Sequence, residues 1–188
     1  MMHLAPHPRR WALVQALVAL AGVAWIALSA SPGVPQGGGP PPSPGQGFSA
    51  PELVLPDSDG TLHALSSYRG RVVVLNFWAS WCPPCRAEMP AFERIHQELA
   101  ARGLTILAVN ATSQDTRQAA LRFTEELGLT LPVLFDDNGS AQTSYRIRAL
   151  PTTFFIDRRG IIRQVVVGGP LAGAVIESVV NDLLAEAD

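Results

Sequence analysis

The segment Trp81-Cys82-Pro83-Pro84-Cys85 holds the only two cysteines of a 188-residue chain, and it directly follows the apolar run Val72 to Trp78. A run of that kind is expected at the buried centre of a sheet. From about Pro83 to Ala101 the pattern is helical, and Gly103 suits the left-handed position beyond a helix end. The chain must therefore place a C-x-x-C where a central strand turns into a helix. A structural zinc site needs four ligands, and there is no second cysteine pair and no nearby histidine pair. A stapled mini-protein needs several bridges closing longer loops. In this strand–helix context a pair that cycles between dithiol and disulfide is favoured over an inert structural bridge.

The rest of the pattern alternates strands and helices. Glu52 to Leu55 and Thr61 to Leu65 flank the turn signal Asp57-Ser58-Asp59-Gly60, which predicts a hairpin. Leu104 to Val109 is a second buried strand. Asp115 to Leu127 reads as a helix, with Asp115 as its cap, Gln118 three residues on, and Gly128 closing it. A strand at Leu131 to Phe135, a short helix near Ala141 to Tyr145, a hairpin from Thr153 to Val167 and a helix from Leu171 to Ala185 complete the series. The sum is an α/β domain with a mixed central sheet.

The motif carries its own chemistry. Cys82 falls at the first turn of its helix, where unpaired N–H groups and the positive dipole end favour the thiolate that attacks disulfides. Cys85, one turn on, can resolve the mixed disulfide that results. Proline tolerates this turn, but neither Pro83 nor Pro84 has an N–H to offer the sulfur, which tilts the pair toward a reductant. A helical wheel places Glu88 with Cys85, Phe92, Ile95 and Leu99 on the inner face, although Pro90 kinks the helix. A carboxyl there suits a group that takes a proton from a buried thiol; the alternative is a solvated first-turn glutamate. Pro151, before the strand Thr153 to Ile156, leaves adjacent backbone free to pair with another chain. Trp78 belongs to the core, while Trp81 is an apolar contact for a substrate. His63 and His96 read as ordinary surface or packing residues.

Composition settles the broad class and the N-terminus suggests an address. The net charge of −2 and the lack of a basic stripe argue against a nucleic-acid partner. All fourteen Lys+Arg cations are arginine, which excludes lysine chemistry. Residues 1–10 end in Arg9-Arg10, and Trp11 to Ala30 carry no charge over a stretch long enough to cross a bilayer. The positive-inside rule keeps residues 1–10 in the cytoplasm and sends the remainder outward. That span is longer than the usual signal-peptide core, which favours a single retained anchor over a cleavable signal. Residues 31–47 are a Pro/Gly-rich linker, leaving residues 48–188 as the domain. As a flexible coil the linker spans roughly 20–25 Å.

The run Val74-Leu75-Asn76-Phe77-Trp78-Ala79-Ser80-Trp81-Cys82-Pro83-Pro84-Cys85-Arg86-Ala87-Glu88-Met89-Pro90, followed by Leu150-Pro151-Thr152-Thr153-Phe154, resembles the thioredoxin superfamily. More narrowly it is similar to the membrane-tethered TlpA/ResA-like thiol-disulfide oxidoreductases. The resemblance implies a thioredoxin-like fold: a central mixed sheet flanked by helices, an N-terminal β-hairpin and a central helical insertion. It implies that Pro151 is a cis-proline docking substrate backbone, with Leu150, Trp81, Pro83 and Pro84 around it. Gly168-Gly169 matches a groove-lining loop. Thioredoxin proper has a buried aspartate where Asn76 stands here, so proton transfer would move to Glu88, which matches a glutamate of the TlpA/ResA-like branch. The resemblance further implies no cofactor beyond a redox-active Cys82–Cys85 disulfide and no metal. It suggests secreted disulfide proteins such as apocytochrome c as substrates, with an integral-membrane thiol reductase as electron donor. A disulfide-forming oxidase, a copper-handling module and a thiol peroxidase are the rival readings.

Overall fold

The computed structural model describes Val18 and residues 39–186. The chain divides into Met1–Gly39 and Pro40–Asp188, and the elements described below all belong to the second unit. The expected cytoplasmic tail, the Trp11–Ala30 span apart from Val18, and the linker up to residue 38 lie outside the described residues. Among the described residues no helix is long and apolar enough to cross a membrane.

The centre is β3 (Val72–Trp78), buried along its whole length. It pairs in parallel with β4 (Leu104–Asn110) and antiparallel with β6 (Thr152–Ile156). With β5 (Val133–Phe135) and β7 (Ile162–Val167) these form a five-stranded sheet in the order β5-β4-β3-β6-β7. A separate antiparallel pair, β1 (Val54–Pro56) and β2 (Leu62–Ala64), makes the N-terminal hairpin. Both faces of β3 are covered, so its sequence is apolar except at Asn76 rather than alternating. Its side chains still divide by parity. Val72, Val74 and Trp78 pack with α1 (Pro83–Leu99) and the other elements of one core, whereas Val73, Leu75 and Phe77 pack with Leu53, Leu55, Tyr145 and Phe154 in another. Asn76 shares the parity of Val74 and Trp78, which directs it toward α1.

The remaining helices are α2 (Arg117–Leu127), α3 (Ser140–Ser144) and α4 (Gly173–Ala185). Helix α1 continues through Pro90 and ends at Leu99, followed by a 3-10 turn and a left-handed Gly103 with φ 98°. The cap of α2 differs from the expected Asp115: Thr116 caps it, its hydroxyl accepting from the Ala119 N–H at 3.1 Å. Asp115 is committed elsewhere, as shown below. His63 is more than a surface residue, lying between the Asp57 carboxylate (2.9 Å) and the Tyr68 hydroxyl.

The domain also begins earlier than Phe48. Ser43 N–H donates to Ser49 O (3.0 Å), Gly47 N–H to Ile162 O (2.8 Å) and Ala50 N–H to Gly160 O (2.9 Å), while the Ser49 hydroxyl reaches Pro40 O at 2.6 Å. The C-terminal part of the Pro/Gly segment is thus sewn along the β6–β7 turn. The small, stiff residues that look like linker offer their backbone groups to that turn.

Candidate active site

Strand β3 delivers the chain to the site and α1 takes it away. The Cys82 N–H donates to Ala79 O at 3.2 Å, tightening the turn, and Cys82 is the N-cap of α1. Cys82 Sγ and Cys85 Sγ are bonded at 2.07 Å. One backbone donor reaches Cys82 Sγ, the Cys85 N–H at 3.3 Å; the two prolines between cannot supply another. Cys85 is fully buried and Cys82 is 3 % exposed, whereas Trp81 beside them is 56 % exposed. Pro83 is exposed, and Pro84 and Leu150 are half-buried.

The approach to Cys82 is held from the side of β4. Asp115 accepts from Ser80 N–H (2.6 Å), the Ser80 hydroxyl (2.7 Å), Asn110 Nδ2 (2.9 Å) and Thr116 N–H (2.8 Å). Burial pushes its carboxyl up, but the donors from Asn110, Ser80 and Thr116 outweigh that and hold it below the ordinary range. The Trp81 indole N–H donates to Gln114 O at 2.9 Å. Arg86 donates to Ser80 O and lies over the Phe123 ring. The loop after β4 therefore clamps the residues just before the nucleophile. No local pattern in the sequence marks Asp115 for this work, because its partners sit on other elements.

Glu88 lies on the inner face of α1, 1 % exposed. Its Oε1 accepts from Asn76 Nδ2 at 2.8 Å and its Oε2 from the Leu171 N–H at 2.9 Å. Desolvation raises its pKa, and the bonds from Leu171 and Asn76 only partly offset this. It is a buried carboxyl one turn beyond Cys85, not a solvated first-turn glutamate. Asn76 Nδ2 also donates to Thr153 Oγ1 at 3.0 Å, across the Asn76–Thr153 register of β3 and β6. The Asn76 Oδ1 is buried with no partner. Helix α4 starts at Gly173, two residues after the expected Leu171.

The Leu150–Pro151 bond is cis, as is Gly169–Pro170. The Pro151 carbonyl accepts from the Gly168 N–H at 2.8 Å, tying the 168–171 loop to the proline. Leu150 and Leu171 pack against the core cluster that contains Cys82 and Cys85. Cys82, Cys85, Glu88, Leu150 and Pro151 are thus gathered at the carboxyl end of β3, with Trp81 and Pro83 exposed at the rim. Thr153, Asp115 and the Leu171 N–H are additions that the sequence did not single out.

The family model that matches this architecture is that of the AhpC/TSA family, aligned over residues 47–165. The chain belongs to the AhpC/TSA family. Among similar proteins, the thiol-disulfide oxidoreductase ResA of Geobacillus kaustophilus is 40 % identical over 122 residues, covering 65 % of this chain and 69 % of the relative. The thioredoxin-like protein YneN of Bacillus subtilis is 39 % identical over 124 residues, covering 65 % and 72 %. A solved thiol:disulfide interchange protein of the thioredoxin family from Chlorobium tepidum superposes with a TM-score of 0.65 at 27 % identity, covering 73 % of this chain and 96 % of that one. This AhpC/TSA member is a thioredoxin-like protein-disulfide oxidoreductase with Cys82 and Cys85 bonded in C-x-x-C spacing.

In this AhpC/TSA site Gly169 is where a side chain cannot fit. A Cβ there would come within 2.8 Å of Pro151 Cγ and 3.0 Å of Glu88 Oε2. Gly169→Ala should force the loop outward and break the Leu171–Glu88 bond. We expect a destabilisation of about 1–3 kcal/mol in a denaturant titration, together with slower exchange. An unchanged midpoint and rate would mean that the loop yields freely.

Proposed function

We propose that the protein reduces disulfides in exported proteins on the outer side of the cytoplasmic membrane, held there by the Trp11–Ala30 span. The observation that carries the reductive direction is the single N–H at Cys82 Sγ, the Cys85 donor at 3.3 Å. A sulfur with few donors gains little as a thiolate, and a poorly stabilised dithiol gives up its electrons more readily. In the reaction, the Cys82 thiolate attacks a substrate disulfide, forming a mixed disulfide and releasing one substrate thiolate. Cys85 then passes its proton to the Glu88 carboxylate and attacks Cys82 Sγ. The second substrate sulfur leaves as a thiolate and the Cys82–Cys85 disulfide remains. Two electrons from a dithiol of an integral-membrane reductase restore the reduced pair.

Outside the cytoplasm no glutathione pool keeps thiols reduced, so a dedicated reductant has a use there. The likeness to TlpA/ResA-like proteins supports apocytochrome c as a substrate. Arg9-Arg10 before an uncharged Trp11–Ala30 supports the outward orientation. The deciding measurement is the reduction potential by equilibration with a thiol/disulfide buffer. A value near that of thioredoxin, about −270 mV, is expected; one near that of DsbA, about −120 mV, would make the protein an oxidase.

A further inference from the structure

A polar pocket of about 480 Å³ is formed by the turn after β4, α3 and the segment after it. Ser113, Gln114, Gln142, Arg146 and Arg148 are among its lining residues. It opens at the carboxyl ends of β4 and β5, the same end at which β3 delivers Cys82, and α/β sheets bind ligands at such ends. It is joined to the redox site at two points. Gln114 lines it and accepts the Trp81 indole N–H through its carbonyl. Arg148 lies just ahead of the cis Leu150–Pro151 bond.

The polar side chains of the pocket floor are bonded to one another and to the buried Asp136 behind them. Gln114 Nε2 donates to Gln142 Oε1 (2.8 Å), and Gln142 Nε2 donates to Ser113 Oγ (2.9 Å) and Asp136 Oδ2 (3.2 Å). The buried Asp136 carboxylate also accepts from the Ala141 and Gln142 N–H groups of α3. At the rim the charge is positive. Among the described residues, Arg122, Arg146 and Arg148 are the arginines whose side chains make no ion pair or hydrogen bond, and two of these three line this pocket, between it and a neighbouring one lined by Tyr145, Phe154 and Val165.

Arg146 is also an unfavourable choice on backbone grounds. It ends α3 with φ 51°, its N–H bonded to Thr143 O and the Ile147 N–H to Gln142 O, the double bond pattern of a left-handed helix terminus. That position favours glycine, and this chain uses glycine at the ends of the Ala100–Arg102 turn and of α2, Gly103 and Gly128. An arginine held there without a partner is unexplained by folding.

We propose that Arg146 and Arg148 are specificity-determining residues. The pocket takes the carboxylates of acidic side chains that flank the reacting cysteine in a polypeptide substrate. This rests on the reading that a polypeptide docks over Cys82 and Pro151, and it holds for either direction of electron flow.

The test uses the reduced full chain and two matched peptides. Each peptide carries one cysteine as a 2-thiopyridyl mixed disulfide, flanked on both sides by Glu in one peptide and by Gln in the other. The protein dithiol becomes a disulfide, the peptide thiol and pyridine-2-thione are released, and the thione is followed by absorbance. Each rate is divided by the rate with dithiothreitol, which removes intrinsic differences between the peptides. The Glu peptide should react roughly fivefold faster at low salt, with the advantage shrinking as salt rises. R146Q/R148Q should bring the ratio to about one, while Arg122→Gln leaves it as in the wild type. Arg146→Gly supplies the residue the helix end favours, so it should lower the ratio without lowering the thermal midpoint. Equal rates for the two peptides, or a preference that survives R146Q/R148Q, would overturn the proposal. If neither peptide reacts while 2,2′-dipyridyl disulfide does, polypeptide docking itself fails.

Discussion

Cys82→Ser should abolish disulfide exchange, whereas Cys85→Ser should leave a protein that attacks once and stays joined to its substrate. The asymmetry follows from where α1 begins. Cys82 is the N-cap, next to the exposed Trp81 and Pro83, and is the cysteine that the helix N-terminus favours as thiolate. Cys85 lies one turn inside, with no exposed surface, and can reach only Cys82 Sγ, once that sulfur is joined to a substrate. Loss of the attacking group should lower turnover by at least about 10³-fold. Loss of the resolving group should give a stable adduct, visible by mass spectrometry as the protein plus one peptide. An adduct on Cys82→Ser in place of Cys85→Ser would reverse the assigned roles.

Asn76→Asp should produce the largest change in stability, and its size should depend on pH. Asn76 Nδ2 lies 2.8 Å from Glu88 Oε1, and both residues are buried. A carboxylate at position 76 would oppose another at that distance, so the pair retains a proton in the folded state that the unfolded chain has lost. A folded-state pKa above the unfolded value means that the folded form retains protons which the unfolded chain has lost, so stability falls as pH rises above the ordinary carboxylate range. We expect a loss of about 3 kcal/mol at pH 8, much of it regained near pH 5. Glu88 in the native protein acts in the same direction, because burial raises its pKa. Glu88→Gln should therefore flatten the wild-type decline in thermal midpoint between pH 4 and pH 8, and slow exchange by removing the proton acceptor. A profile as steep as that of the wild type would exclude Glu88 as the titrating group.

The parts of this site that were legible in the sequence are those written in local periodicity. The apolar run of β3, the C-x-x-C at its end and the helical spacing of Glu88 each follow from residues close together in the chain. Helix α1 passes through Pro90, yet the wheel still placed Glu88 inward because Cys85 and Glu88 both precede the proline. The cis state of Pro151 came from resemblance alone, since no spacing encodes a peptide isomer. Contacts between distant segments were not legible. The Leu171 N–H that completes the Glu88 site is 83 residues away. Asp115 looks like a helix cap by composition, and only the fold shows that Ser80 and Asn110 claim its oxygens. The Pro40–Gly47 stretch has the composition of a tether, and its backbone bond to Ile162 depends on a β-turn formed more than a hundred residues later.

That stretch also determines how a mechanical load enters the domain. The Gly47–Ile162 and Ala50–Gly160 bonds lie at the end of the sheet where Val73 faces Ile156, opposite the end where Phe77 faces Thr152. Tension applied upstream of Pro40 reaches the Ser49–Pro40 and Ser43–Ser49 bonds first, and then the β6–β7 turn. Those bonds lie nearer the point of load than β3 and the cysteines at its far end, so they are the ones a pull would part first.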